Sequence, residues 1–107
     1  MRVLAVWEPM LPTDLLEPNS NTLALLTDAR AAQFWDPSHL VSSAIRAARS
    51  RPTPKCCDDL GILWDLAAVY PKGGRWAGTL PPAEFLDGTV VDVEPSLRET
   101  VLRLSAR

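Results

Sequence analysis

Ten prolines, at positions 9, 12, 18, 37, 52, 54, 71, 81, 82 and 95, set the tightest limit on what this 107-residue chain can fold into. Proline has a fixed φ and no backbone N–H, so it is a poor fit inside a helix or a central strand. Most of these prolines fall between the apolar runs, which divides the chain into short elements joined by sharply punctuated loops. The chain is 47% hydrophobic and 22% charged, an ordinary globular composition, so the pattern reads as loops and not as disorder. Its length suits one domain, residues 1–107, which buries roughly 65% of the extended chain's surface on folding.

Val3–Trp7 is an apolar run closed by Glu8-Pro9 and reads as a buried strand. Ser20 or Asn21 can cap a short helix through Leu23, Leu25 and Leu26, and Ala31–Trp35 is a second strand. Asp36-Pro37 predicts a helix start, with a carboxylate at the cap and proline at the first helical position. Leu40, Val41, Ala44, Ile45 and Ala48 then keep one face of that helix apolar. Residues 50–59 form a polar loop, 62–70 a central strand, and Pro71-Lys72-Gly73-Gly74 a tight turn. Residues 75–88 admit a brief returning strand, and the β-branched stretch 89–93 reads as an edge strand. Pro95 opens the last helix, with Leu97, Val101 and Leu104 on one face and Glu99 with Arg103 on the other.

The predicted order is β-α-β-α-β-β-α, an α/β chain whose first strands run parallel through right-handed crossovers before a hairpin adds antiparallel strands. That order resembles the minimal thioredoxin-like arrangement, and three stretches carry the resemblance. Val3-Leu4-Ala5-Val6-Trp7 is similar to the strand that leads into the family's active site. Residues 66–74 are similar to its apolar strand with a Lys/Gly turn, and 95–104 to its final amphipathic helix. The resemblance implies a mixed sheet flanked by helices and extends to bacterial thioredoxin-like proteins without the Cys-x-x-Cys motif. Glu8 and Leu11 stand where that motif has its cysteines, and Gly61-Ile62-Leu63-Trp64-Asp65 lacks the family's cis-proline. A conventional disulfide oxidoreductase is therefore not implied.

The chain's two cysteines are adjacent, Cys56 and Cys57. Neighbouring Cα atoms lie about 3.8 Å apart, short of the ~4.4–6.8 Å usual for bonded cysteines, so a bond between them would be strained and readily reduced. Three readings stay open: a dithiol binding a soft metal ion, a pair exchanging with a partner thiol, or two small buried hydrophobes. Lys55 favours the thiolate while Asp58 and Asp59 oppose it. Two thiolates alone do not complete a tetrahedral zinc site.

A second signal is the repeated pairing Trp7-Glu8, Trp35-Asp36 and Trp64-Asp65. With two parallel strands and a third running back, all three pairs share the sheet end at which open α/β sheets bind ligands. This rim could hold a cation or small ligand, or a protein partner. His39 falls beside it in the second helix's first turn, although a lone histidine there is ordinarily a surface or capping residue. Asp36 is equally explained as a cap, and tryptophan at a strand end often only covers the core.

Formal net charge is −2, so no global field attracts nucleic acid or anionic lipid. The basic run Arg46, Arg49, Arg51 and Lys55 sits at a predicted helix C-terminus, where cations offset the dipole. No apolar stretch approaches the ~20 residues that span a bilayer. Cysteine usage makes a reducing cytoplasm the expected location. The sequence leaves two functions in contention, a thiol-handling domain and a non-catalytic binding module, and does not set the oligomeric state.

Overall fold

The computed structural model describes residues 1–11, 15–48, 54, 56–59 and 62–106. Pro12, Arg49, Ser50, Arg51, Pro52, Lys55 and Gly61 lie outside the described residues. The chain divides into two compact units, Met1–Val41 and Ser42–Arg107.

In Met1–Val41, β1 (Val3–Trp7) and β2 (Ala31–Trp35) pair in parallel, in register from Val3↔Ala31 to Trp7↔Trp35. Both strands keep the predicted bounds, and Asp36 N extends the ladder by donating to the Trp7 carbonyl at 2.8 Å. Between them lies α1 (Ser20–Leu23), capped by Asn19, whose Oδ1 accepts from Thr22 N at 2.9 Å. The cap therefore sits one residue earlier than Ser20. Just before β2, the Arg30 side chain and backbone N–H donate to the Asp28 carboxylate and hold its carboxyl well below the usual carboxylate range.

The second helix, α2 (Leu40–Ala47), begins later than Asp36-Pro37 predicts. Asp36 does act as its cap, but at longer reach: its carboxylate accepts from Leu40 N at 3.0 Å and Val41 N at 2.8 Å. His39 takes a left-handed φ of 57°, which holds residues 37–39 out of the helix and places His39 just before it instead of in its first turn.

In Ser42–Arg107 the expected strand over 62–70 is two strands, β4 (Ile62–Leu63) and β5 (Leu66–Val69), following β3 (Asp58–Asp59). The chain turns between them at Asp65, whose φ is 48°, a conformation that aspartate tolerates better than most residues. β4 pairs antiparallel with β3, a strand that falls inside the predicted polar loop. β5 pairs antiparallel with β6 (Phe85–Gly88), from Leu66↔Gly88 to Val69↔Phe85. The turn at Pro71-Lys72-Gly73-Gly74 is as expected: Gly74 N donates to the Pro71 carbonyl at 3.0 Å, and Gly73 supplies the positive φ of 83°.

Residues 89–93 are not an edge strand; α3 (Val90–Ser105) takes in 90–93 and holds Pro95 inside its second turn. Thr89 is its N-cap, with backbone N–H groups of Asp92 and Val93 donating to the Thr89 carbonyl and Thr89 Oγ1 donating to Asp92 Oδ2 at 2.6 Å. Asp92 in the first turn also complements the helix dipole. The ion pairs of this helix join Glu94 to Arg98 and Arg103 to Glu84.

The architecture is thus α/β, but its described residues form three two-stranded ladders in place of the single mixed sheet that the element order predicts. The split at Asp65 is the cause on the hairpin side. Buried apolar side chains among the described residues are Pro9 in Met1–Val41 and Cys57, Leu63 and Leu86 in Ser42–Arg107. Ser42, 1% exposed, ties α2 to β4: Leu63 N donates to its Oγ at 3.2 Å, and the hydroxyl faces the Leu63 carbonyl at 3.4 Å. No helix among the described residues is long and apolar enough to cross a membrane.

Candidate functional site

Cys56 and Cys57 are joined by a disulfide at a sequence separation of one. Cys56 is partly exposed, whereas Cys57 is 4% exposed. Cys57 has a left-handed φ of 71°, and its carbonyl accepts from Trp64 N at 3.0 Å, which fixes the pair against the β3–β4 hairpin. On the following strand Asp58 meets Arg46 of α2, with Arg46 Nε 3.2 Å from Asp58 Oδ1. Arg46 is thereby engaged by a carboxylate, as befits a helix-end cation.

A close neighbour of the pair comes from far along the chain. A Cβ added at Gly88 would collide with the Asp65 carbonyl oxygen and stand 3.1 Å from Cys57 Sγ. Glycine at the end of β6 therefore lets the disulfide approach the β5–β6 ladder. Sequence inspection missed Gly88 because nothing local distinguishes it from a turn glycine; the contact spans two loops.

As a disulfide the cysteines offer no thiolate to a metal. Reduced, they would supply two sulfur ligands, which suits a soft monovalent ion better than a tetrahedral centre. Among the described residues no group of three or more His, Cys, Asp or Glu is arranged to hold a metal ion.

The proposed rim is partly assembled inside Met1–Val41. Parallel pairing sets Trp7 beside Trp35, and Glu8 and Asp36 follow them at the carboxyl ends of β1 and β2. His39 Nδ1 lies 3.4 Å from Glu8 Oε1, both side chains being largely covered. Asp36 is 8% exposed, and both its carboxylate oxygens accept from the start of α2, so the cap explains its position. Trp64 and Asp65 belong to Ser42–Arg107, at the break between β4 and β5, where Asp65 Oδ1 lies 3.4 Å from Val90 N.

Gln33 is a second residue that sequence inspection missed. Its Oε1 accepts from Trp7 Nε1 at 3.0 Å, while its Nε2 donates to the carbonyls of Leu23 at 2.8 Å and Leu26 at 3.3 Å. One amide thus fixes the Trp7 ring against α1, beside an open cavity of about 200 Å³ lined by Trp7, Pro18, Phe34 and Trp35. A lone polar residue between apolar neighbours in β2 was the available signal. Compared with known protein families, curated proteins and solved structures, the chain matches none.

Proposed function

We propose that this chain is a thioredoxin-like domain that handles thiols through Cys56 and Cys57, cycling between disulfide and dithiol. The observation that carries the reading is a disulfide closing the smallest loop a chain allows. In the chain-entropy account so short a loop stabilises by only about 1 kcal/mol, against ~2–4 for ordinary disulfides. A left-handed non-glycine residue costs roughly 1–2 kcal/mol, so the φ of Cys57 offsets that gain. Such a bond contributes little as a staple, which leaves redox chemistry as its use. In a reducing cytoplasm, the location we assign, disulfides are mostly transient and catalytic or redox-sensing.

The order β1-α1-β2-α2, then β5-β6-α3, with a parallel first pair and an antiparallel second, supports the thioredoxin-like assignment. The β3–β4 hairpin is an addition to that order, and the cysteines immediately precede it in sequence instead of standing at positions 8 and 11, which the family uses. The partner is a thiol, on a small molecule or a protein, and a soft metal ion is an alternative guest of the reduced pair.

Alkylation of the native protein before and after treatment with a small dithiol tests the reading. Two thiols should become available on reduction and disappear again with oxidised glutathione, and the Cys56→Ser/Cys57→Ser double variant should show neither change. Thiols that stay unreactive after reduction, together with Cu(I) affinity equal to that of the double variant, would remove both the exchange and the metal-binding forms. Reduction should also shift the denaturation free energy by no more than about 1 kcal/mol, measured by urea unfolding of both forms. A loss of several kcal/mol would make the bond a structural staple.

A second reading, a non-catalytic binding module, is favoured by the cavity beside Trp7 and Trp35. At about 200 Å³ that cavity falls below the ~300–1,000 Å³ typical of ligand pockets, which ranks the reading second. A fragment set read by tryptophan fluorescence should produce hits on the parent that vanish in Trp7→Ala. Hits unaffected by that change would place binding elsewhere.

A further inference from the structure

We infer that the two sulfurs have separate, ordered roles: Cys56 is the sulfur that an incoming thiolate attacks, and Cys57 is the leaving and resolving thiol. The inference rests on the thiol-handling reading and adds the direction of exchange and the substrate class, a thiol free to approach from solvent.

Burial carries it. Displacement at a disulfide needs the attacking sulfur in line with the S–S bond, on the side away from the leaving group, so access decides which sulfur reacts. Cys56 is partly exposed. Cys57 is 4% exposed, and the position of a Cβ on Gly88 lies 3.1 Å from its Sγ, so the backbone of β6 covers that sulfur. The Cys57 carbonyl is held by Trp64 N at 3.0 Å, and Asp58 beside it by Arg46, which keeps Cys57 seated, whereas Cys56 retains partial exposure.

In the first step a thiolate RS⁻ attacks Cys56 Sγ. The new R–S–Cys56 bond forms as the Cys56–Cys57 bond breaks, and Cys57 departs as a thiolate that takes a proton from solvent. In the second step another thiolate attacks the R sulfur of the mixed disulfide, releasing RSSR and leaving Cys56 to be protonated. The protein disulfide gains two electrons and two protons, and two RSH supply them. In reverse, Cys57 resolves a mixed disulfide carried on Cys56.

Single variants incubated with oxidised glutathione, and in a parallel arm with the disulfide of a short unstructured cysteine peptide, test the assignment by intact mass. Cys57→Ser should accumulate one adduct in full, and Cys56→Ser should accumulate none in its folded form. An adduct in the glutathione arm alone identifies a small-molecule thiol as the source, and one in both arms admits a protein thiol. Equal or greater modification of Cys56→Ser would overturn the order of attack while leaving thiol exchange standing. Wild type quenched in acid during reduction by glutathione answers the same question without a substitution. Fragmentation should find glutathione on Cys56 and a free Cys57, and the opposite arrangement would overturn the inference. A wild-type disulfide that glutathione and a dithiol both fail to reduce would instead sink the thiol reading itself.

Discussion

Replacing Gly88 with alanine is expected to destabilise the protein by about 1–3 kcal/mol, the range seen when atoms are forced into filled space. The added Cβ would collide with the Asp65 carbonyl oxygen and press on Leu66 Cδ2 at 3.0 Å and Cys57 Sγ at 3.1 Å. A side-chain end can swing aside, but the Asp65 carbonyl belongs to the backbone at the start of β5, opposite the end of β6. Relief therefore requires the β5–β6 ladder to open where it meets the disulfide. Urea unfolding of the Gly88→Ala protein measures the loss, and the same variant should be alkylated faster than the parent at Cys57 in the reduced state. A midpoint equal to that of the parent would show that the ladder and the cysteine loop are not in contact at this point.

Truncating Asp36 should cost about 2 kcal/mol, near the upper end of what helix caps contribute. Most caps serve one backbone donor at an exposed end. Asp36 serves both Leu40 N and Val41 N from a site only 8% exposed, so its removal leaves two donors short of an acceptor in a partly covered place. Asp36→Asn keeps one acceptor oxygen and should lose about half as much. Chemical denaturation ranks the variants, and amide exchange at Leu40 and Val41 locates the effect. An alanine variant as stable as the parent would contradict this assignment of the cap.

Legibility in the sequence followed how local each determinant was. β1 and β2 were readable to the residue because each is a short, mainly apolar run, broken in β2 only by Gln33, and each is stopped by an acidic residue and a proline, Glu8-Pro9 and Asp36-Pro37. The start of α2 was not, because the cap acts at four and five residues' distance with His39 in a left-handed conformation between. At residues 89–93 two local signals competed. Thr89, Val90 and Val91 carry strand propensity, but Thr89 followed by Asp92 three residues later is a helix-start pattern, and the helix prevailed. The break in 62–70 depended on one aspartate adopting positive φ, which apolar periodicity does not report.

The candidate sites divide in the same way. The pairing of Trp7 with Trp35 followed from two parallel strands of equal length. That Trp7 is held by Gln33, and Cys57 approached by Gly88, are contacts between residues 26 and 31 positions apart, beyond the reach of local pattern. The cysteines were conspicuous as a pair; their unequal burial was not legible, because it depends on β6 arriving over one of them.

Thiol cycling at Cys56 and Cys57 is tested most directly by equilibrating the protein across a series of reduced and oxidised glutathione mixtures and measuring the fraction oxidised by acid quench and mass. A single reversible two-electron transition is the predicted result, reached alike from the dithiol and from the disulfide. A pair that remains a dithiol in every mixture, or a disulfide untouched even by the most reducing one, would contradict it.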